Sequence, residues 1–280
     1  MYWHYLQKFS AASFKRATGV HKEIFLELVD IVDSYKHLNR KHPNSGSKAI
    51  LDTPDTILLM LMYYREYRTQ FHIGICYGLS ESRTCELIKE TESIIMKDKR
   101  YHLSGKKQLL RVDSGIEVAI VDVSECCIER PKKKQRDYYS GKKKRHTHKT
   151  QLVVDRHTKK IICTACSKGR KHDFKLFKES KTYIHPSIKT QADTGFQGLQ
   201  KVHANTEMPK KKSKKKPLTK EDKKYNRTIS SQRVIVENII REPKIFRIIA
   251  ERYRNRRKRF ALRLNLIAAF HNRAIDLNLK

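Results

Sequence analysis

Apolar residues return at every third or fourth position through the first third of the chain. Between His21 and Leu38, the residues Phe25, Leu28, Val29, Val32 and Tyr35 line one stripe, the spacing of an amphipathic helix. A polar loop, Asn39 to Lys48, carries Pro43 and Gly46 and ends that pattern. Thr53-Pro54-Asp55 supplies an N-cap, a proline at the first helical position and an early acid. The run Ile57 to Met62 then predicts a helix buried nearly all round. Thr69 to Tyr77, the break Gly78-Leu79-Ser80 and the stretch Glu81 to Met96 give a short helix, a glycine turn, a serine cap and a second helix. That is the pattern of a helix-turn-helix, with Ser82, Arg83, Glu86 and Lys89 on the outer face of its second helix. An ordinary helical hairpin shares the pattern, and only the charge of the chain separates the two.

After a polar joint, Lys97 to Lys107, the period shortens to that of strands. Glu117 to Val123 is a compact β-branched run, and His148 to Asp155 alternates. The basic loop Pro131 to Arg145 lies between them. Arg156 to Lys159 makes a hairpin turn into a third strand, Lys160 to Ser167. His172-Asp173 caps a helix through Leu176 and Phe177 to about Lys181, and Ser187 to Ala192 is a fourth strand ending at Asp193. A basic stretch, Lys210 to Arg227, precedes a helix that starts at Ser230 and carries Ile235, Val236, Ile239 and Ile240. The last segment, Ile245 to Leu279, reads as helical and basic.

Three strands, a helix, a strand and a later helix is the order of an RNase H-like core. The predicted class is α+β. An N-terminal all-α helix-turn-helix domain (1–110) is followed by an RNase H-like mixed-sheet catalytic domain (111–280) with a basic insert over 196–228.

Net charge changes the picture from fold to partner. The chain of 280 residues carries +33, and the surplus is lopsided. Residues 1–112 hold 18 Lys and Arg against 12 Asp and Glu, while residues 113–280 hold 44 against 17. Solubility needs only a modest net charge. A surplus of this size points to nucleic acid, whose condensed counter-ions are released by each Lys or Arg facing a phosphate, more than to an anionic membrane surface, since no long basic amphipathic helix separates from the rest. Three clusters hold nine Lys and Arg each, at Lys132–Lys149, Lys210–Lys224 and Arg241–Arg259, all in the second half. Lys142, Lys143, Lys144 and Arg145 form the densest run of the first. Tyr138, Tyr139, Tyr225 and Tyr253 are interleaved with these clusters, where they either stack on an unpaired base or pack at loop bases. No run of about 18 apolar residues spans a membrane, and Met1 to Tyr5 opens no export signal. A cytoplasmic, reducing compartment is therefore expected, with the six cysteines as free thiols. Cys163-Thr164-Ala165-Cys166 has CxxC spacing, but on a strand its two thiols leave opposite faces, which disfavours a zinc site.

Three acids stand out against this basic background. Asp122 sits at the end of the first strand, Asp193 at the end of the fourth, and Glu237 on the helix after the insert. A single aspartate at a strand end is commonly a turn residue. In an RNase H-like order, however, the first and fourth strands are neighbours, so these acids converge. Carboxylates suit hard divalent cations, Mg²⁺ or Mn²⁺. Two such ions roughly 3.5–4 Å apart activate a nucleophile and steady the leaving oxygen in phosphoryl transfer. Arg233 and Lys244 bracket Glu237 and are candidates to hold a phosphate. Pro243 stops a helix, so the helix is expected to end near Glu242 and to displace Lys244.

The second half resembles a known family. The matching stretches are Asp122-Val123-Ser124-Glu125, Ile128-Glu129-Arg130-Pro131, Tyr138 to Thr147, Lys171-His172-Asp173-Phe174, Asp193 to Gly198, and Arg233 with Glu237 and Lys244. Together they resemble DDE transposases of bacterial insertion sequences, of the insertion-sequence-five group, over nearly the whole chain. The tyrosine that precedes the signature arginine by three residues is Ser230 here, and the aromatic after the Asp193 turn is Phe196. The resemblance implies that Asp122, Asp193 and Glu237 are catalytic metal ligands, two Mg²⁺ or Mn²⁺ per site. It implies an endonuclease and strand transferase acting on double-stranded DNA, the terminal inverted repeats and the target, as a homodimer or higher on the bacterial nucleoid. The alternatives are an RNase H-fold nuclease that only hydrolyses, and a decayed or domesticated copy that binds DNA without cutting it.

Overall fold

A computed structural model of the chain describes residues 2–39, 50–212, 217–255 and 258–279, without the side chains of Gln232, Arg233 and Ile235. Most of the expected loop Asn39 to Lys48 lies outside these residues. The chain divides into two compact units: Met1–His102 with Lys244–Ala250 and Leu266–Lys280, and Leu103–Pro243 with Glu251–Asn265.

The first unit is helical: α1 (Trp3–Leu6), α2 (Ala11–Thr18), α3 (Lys22–Leu38), α4 (Thr53–Arg65), α5 (Gln70–Tyr77) and α6 (Glu81–Ile95). The stripe on α3 is buried at Ile24, Phe25, Leu28, Ile31 and Val32. Every residue of α4 from Thr56 to Tyr64 is buried, as its apolar run requires. Its cap, however, is Asp52 and not Thr53. The Asp52 carboxylate accepts the Asp55 N–H at 2.9 Å, where the partial positive charge of the helix start favours an anion. Thr69 and Ser80 cap α5 and α6 through their side chains. Between them Gly78 takes φ +66°, which ends α5 without the steric cost a Cβ brings. The Leu266–Lys280 segment adds Phe270, whose ring stands edge-on to Tyr101 at 5.8 Å.

The second unit holds a mixed sheet. Its elements are β1 (Val118–Cys127), α7 (Gln135–Tyr138), β2 (Tyr139–Ser140), β3 (Arg145–Asp155), β4 (Ile161–Lys168), α8 (Asp173–Glu179), β5 (Lys189–Ala192), β6 (Thr206–Glu207) and α9 (Lys220–Arg241). β1 is central, antiparallel to β3 on one side and parallel to β5 on the other. β4 and the short β2 pair with β3, and β6 continues parallel beyond β5. This is the RNase H-like strand order. Ala119, Val121, Val153, Cys163, Ala192, Phe177 and Phe196 form the core under one face.

Two expectations differ. The helix bearing Glu237 begins at Lys220 and not at Ser230, because Thr219 and Asp222 form a reciprocal capping box that starts it inside the basic stretch. The segment Ile245 to Leu279 is not one helix. It contains α10 (Arg247–Ala250) and α11 (Phe260–Asp276). Between them Tyr253 bridges to Ile128, its N–H donating to Cys127 O at 2.8 Å, so the chain is drawn onto the far end of β1.

Candidate active site

The parallel register of β1 and β5 ends at the pair Val121 and Ala192. Asp122 and Asp193 are the next residue on each chain. They therefore leave the sheet on the same face, opposite that buried pair, on neighbouring chains about 4.8 Å apart. Asp122 is not at the end of β1, which runs on to Cys127 against β3. What ends beside it is β5, and this opens one edge of β1 at Asp122. Asp193 keeps extended backbone and opens a 3₁₀ turn, Thr194–Phe196. Its Oδ1 accepts the Thr194 N–H at 2.5 Å and the Thr194 hydroxyl at 3.2 Å. Both aspartates are half-buried.

α9 packs against β1, with Ile229, Val236, Ile239 and Ile240 buried. Glu237 is exposed on this helix. Among the described residues, no three His, Cys, Asp or Glu side chains are gathered closely enough to hold a metal ion. Register sets Asp122 and Asp193 just past paired positions of neighbouring strands, and Glu237 does not complete a three-acid group with them among the described residues. The Arg233 side chain lies outside the described residues. α9 ends at Arg241 with Glu242 as its C-cap, and Pro243 opens a 3₁₀ turn in which Lys244 is exposed. The stop imposed by Pro243 is the one its chemistry predicts.

The opposite face of the sheet carries a charged cluster that the sequence reading missed. Lys149 on β3 reaches Asp173 Oδ1 at 2.6 Å and Glu125 Oε1 at 3.9 Å. Glu125 also accepts the Thr147 hydroxyl at 3.1 Å. Asp173 does not cap α8. The cap position is His172, and Asp173 is the first helical residue. Its Oδ2 lies against Gly195, where an added Cβ meets it at 2.7 Å. A side chain at 195 would displace the Asp173 carboxylate, which Lys149 holds at 2.6 Å, from the turn that carries Asp193. The β1–β3 register sets Lys149 opposite Glu125.

Ser82, Arg83 and Lys89 are exposed on α6, with Arg83 paired to Glu86 at 3.2 Å. Lys142, Lys143, Lys144 and Arg145 are exposed at the tip of the β2–β3 hairpin. Lys214, Lys215, Lys216, Arg256 and Arg257 of the other basic clusters lie outside the described residues. Tyr138 and Tyr253 are buried, which removes them as stacking platforms, while Tyr139 and Tyr225 are exposed. Cys163 and Cys166 lie on β4, and burial pushes both thiols up to about 12. No helix among the described residues is long and apolar enough to cross a membrane.

The strand order, with β1 between an antiparallel β3 and a parallel β5, defines an RNase H-like core. Residues 121–272 match the family described as DDE superfamily endonuclease, and residues 50–98, covering α4 to α6, match the helix-turn-helix of that superfamily. The chain belongs to the DDE superfamily endonucleases, whose members depend on a divalent metal. It is 43% identical over 271 residues to a protein of Microchaete diplosiphon described as a probable transposase for insertion sequence element IS702, with 97% of each chain covered. No solved structure matches.

Proposed function

We propose that this chain is the transposase of a bacterial insertion sequence, in which Asp122, Asp193 and Glu237 hold two Mg²⁺ or Mn²⁺ ions and act on the element's terminal inverted repeats. The observation that carries this proposal is the placement of Asp122 and Asp193 one residue past the last β1–β5 pair. Two carboxylates on one open edge offer hard oxygen donors to a divalent cation. Divalent ions held by Asp122, Asp193 and Glu237 would supply charge neutralisation at the phosphate oxygens and activation of a water or a 3′-hydroxyl. Three carboxylates repel one another, so Glu237 joins the aspartate pair only against an opposing charge. Thr194 fixes the rotamer of Asp193 through its N–H and hydroxyl. Phosphoryl transfer needs little more of the protein than such positioning.

The helix-turn-helix binds the element ends, with Ser82, Arg83 and Lys89 facing DNA. Arg233, Lys244 and the run Lys142 to Arg145 contact phosphates. Hydrolysis frees the 3′ ends, which then attack target DNA. Two ends must be joined, so a homodimer or larger assembly forms on DNA, on the nucleoid in the bacterial cytoplasm. A non-catalytic DNA-binding copy is the second reading, favoured by the exposure of Glu237 outside a three-acid group. Purified protein incubated with the flanking inverted repeats, target DNA and Mn²⁺ separates the two. Nicked ends and joined product support the transposase. Bound but uncut DNA supports the second reading, and cut DNA that is never joined reveals a nuclease that only hydrolyses.

A further inference from the structure

A cleft of about 660 Å³ opens between α8 and the turn that follows Asp193. Phe174, Lys175, Lys178 and Glu179 line it from α8, the Glu179 carboxylate being neutralised by Lys171, while Gln197 lines it from the turn and Lys211 from the stretch before α9. Its size falls within the range of about 300–1,000 Å³ typical of sites that enclose a small ligand. Phe174 is half-buried, and its ring is backed by Gly198, where an added Cβ meets it at 3.0 Å. The ring packs against the core of the unit and offers its open part to the cleft. Lys178 Nζ lies 4.7 Å from the ring centroid. Lys178 and Lys211 have no acidic partner among the described residues, whereas Lys175 lies 3.9 Å from Glu179. Two unneutralised ammonium groups and a held aromatic face, with the Gln197 amide beside them, match the parts of a nucleotide: phosphate, base face and base edge. Thr194 joins the cleft to the candidate site, because its hydroxyl donates to Asp193 Oδ1.

We infer that this cleft takes an unpaired nucleotide of the DNA strand next to the scissile phosphate, with the base on Phe174 and its phosphates on Lys178 and Lys211. The Lys178 ammonium rides on a flexible stem, so it moves onto a phosphate and uncovers the ring. The identity of the strand rests on the proposed transposase function, but the pocket chemistry does not. The test uses the full chain and element-end DNA with 2-aminopurine at a mismatched position beside the cut. Its fluorescence reports stacking whether or not cleavage follows. The wild-type complex is expected to quench the probe. Phe174→Ala restores the signal while Phe174→Trp keeps the quench. Lys178→Ala with Lys211→Ala weakens binding about tenfold at low salt and lowers the salt slope by about 2. These lysine changes lie on the surface and stay informative if Phe174→Ala fails to fold. Equal quenching in wild type and a folded Phe174→Ala variant overturns the inference, as does an unchanged salt slope in the lysine variant. Loss of the quench on adding an equal concentration of free deoxynucleotide overturns the assignment to a DNA strand. Quenching without any cleavage keeps the cleft and removes the transposase reading instead.

Discussion

Replacing Lys149 by methionine strands two carboxylates beneath the sheet. The ammonium lies 2.6 Å from Asp173 and 3.9 Å from Glu125, with the three side chains 12%, 28% and 11% exposed in that order. Removing one partner from a buried pair costs about 3–5 kcal/mol, because the remaining charge is left without compensation. Here Glu125 keeps the Thr147 hydroxyl and Asp173 keeps some water, which lowers the cost to about 2–3 kcal/mol. At about 2–4 °C per kcal/mol for a unit of 150–250 residues, Tm falls by roughly 4–12 °C. Thermal unfolding of wild type, Lys149→Met, Asp173→Asn and the double variant measures the coupling directly. The double variant is expected to recover at least about 1 kcal/mol of the summed single effects. Additivity within about 0.5 kcal/mol refutes the claim that the two residues act as a pair.

Gly195→Ala drives a Cβ to 2.7 Å from Asp173 Oδ2, so either the carboxylate or the turn yields. A cost of about 1–3 kcal/mol is expected in urea unfolding. Because the turn begins at Asp193, single-turnover cleavage is expected to fall about 10- to 100-fold with DNA affinity kept. Cys163 and Cys166, pushed up to about 12 by burial, carry thiolate at only about one part in ten thousand near pH 8. Timed alkylation read by mass spectrometry should leave the buried Cys163 behind the half-buried Cys76 and Cys85, and early labelling of Cys163 contradicts its burial on β4. The Gln191 amide and then the Lys189 ammonium hold the Glu207 carboxyl below the usual range. Its contribution to stability is therefore full above the ordinary carboxylate pKa of about 4.3 and lost as pH falls through the lowered folded value. The Tm gap between wild type and Glu207→Gln should close on acidification, and a gap constant to about pH 3 contradicts the ion pair.

The sheet and most helices were legible because their signals are local. Period-two runs, the Gly78 turn, the Ser80 cap and the Pro243 stop each act on the backbone where they stand. α9 begins ten residues before Ser230, because the capping box at Thr219 and Asp222 lies hidden within the basic stretch 210–227. The tail was read as continuous because the contact that breaks it, Tyr253 with the end of β1, is far off in sequence. At the site, strand order alone makes β1 and β5 legible as neighbours, with Asp122 and Asp193 one residue past their last pair. The exposure of Glu237 was not legible, since Val236, Ile239 and Ile240 set how α9 rolls on its neighbours. The Lys149 cluster was missed because a lone lysine on an alternating strand looks like any solvated charge until the register places Glu125 opposite it.

The most direct measurement is single-turnover cleavage of element-end DNA in Mn²⁺ by Asp122→Asn, Asp193→Asn and Glu237→Gln, with DNA affinity measured on the same samples. If these three side chains hold the ions, each change removes roughly 4 kcal/mol of transition-state stabilisation, about a thousandfold in rate, and leaves binding within about twofold. Wild-type cutting by any of the three, and by Glu237→Gln above all, contradicts a shared three-carboxylate metal site.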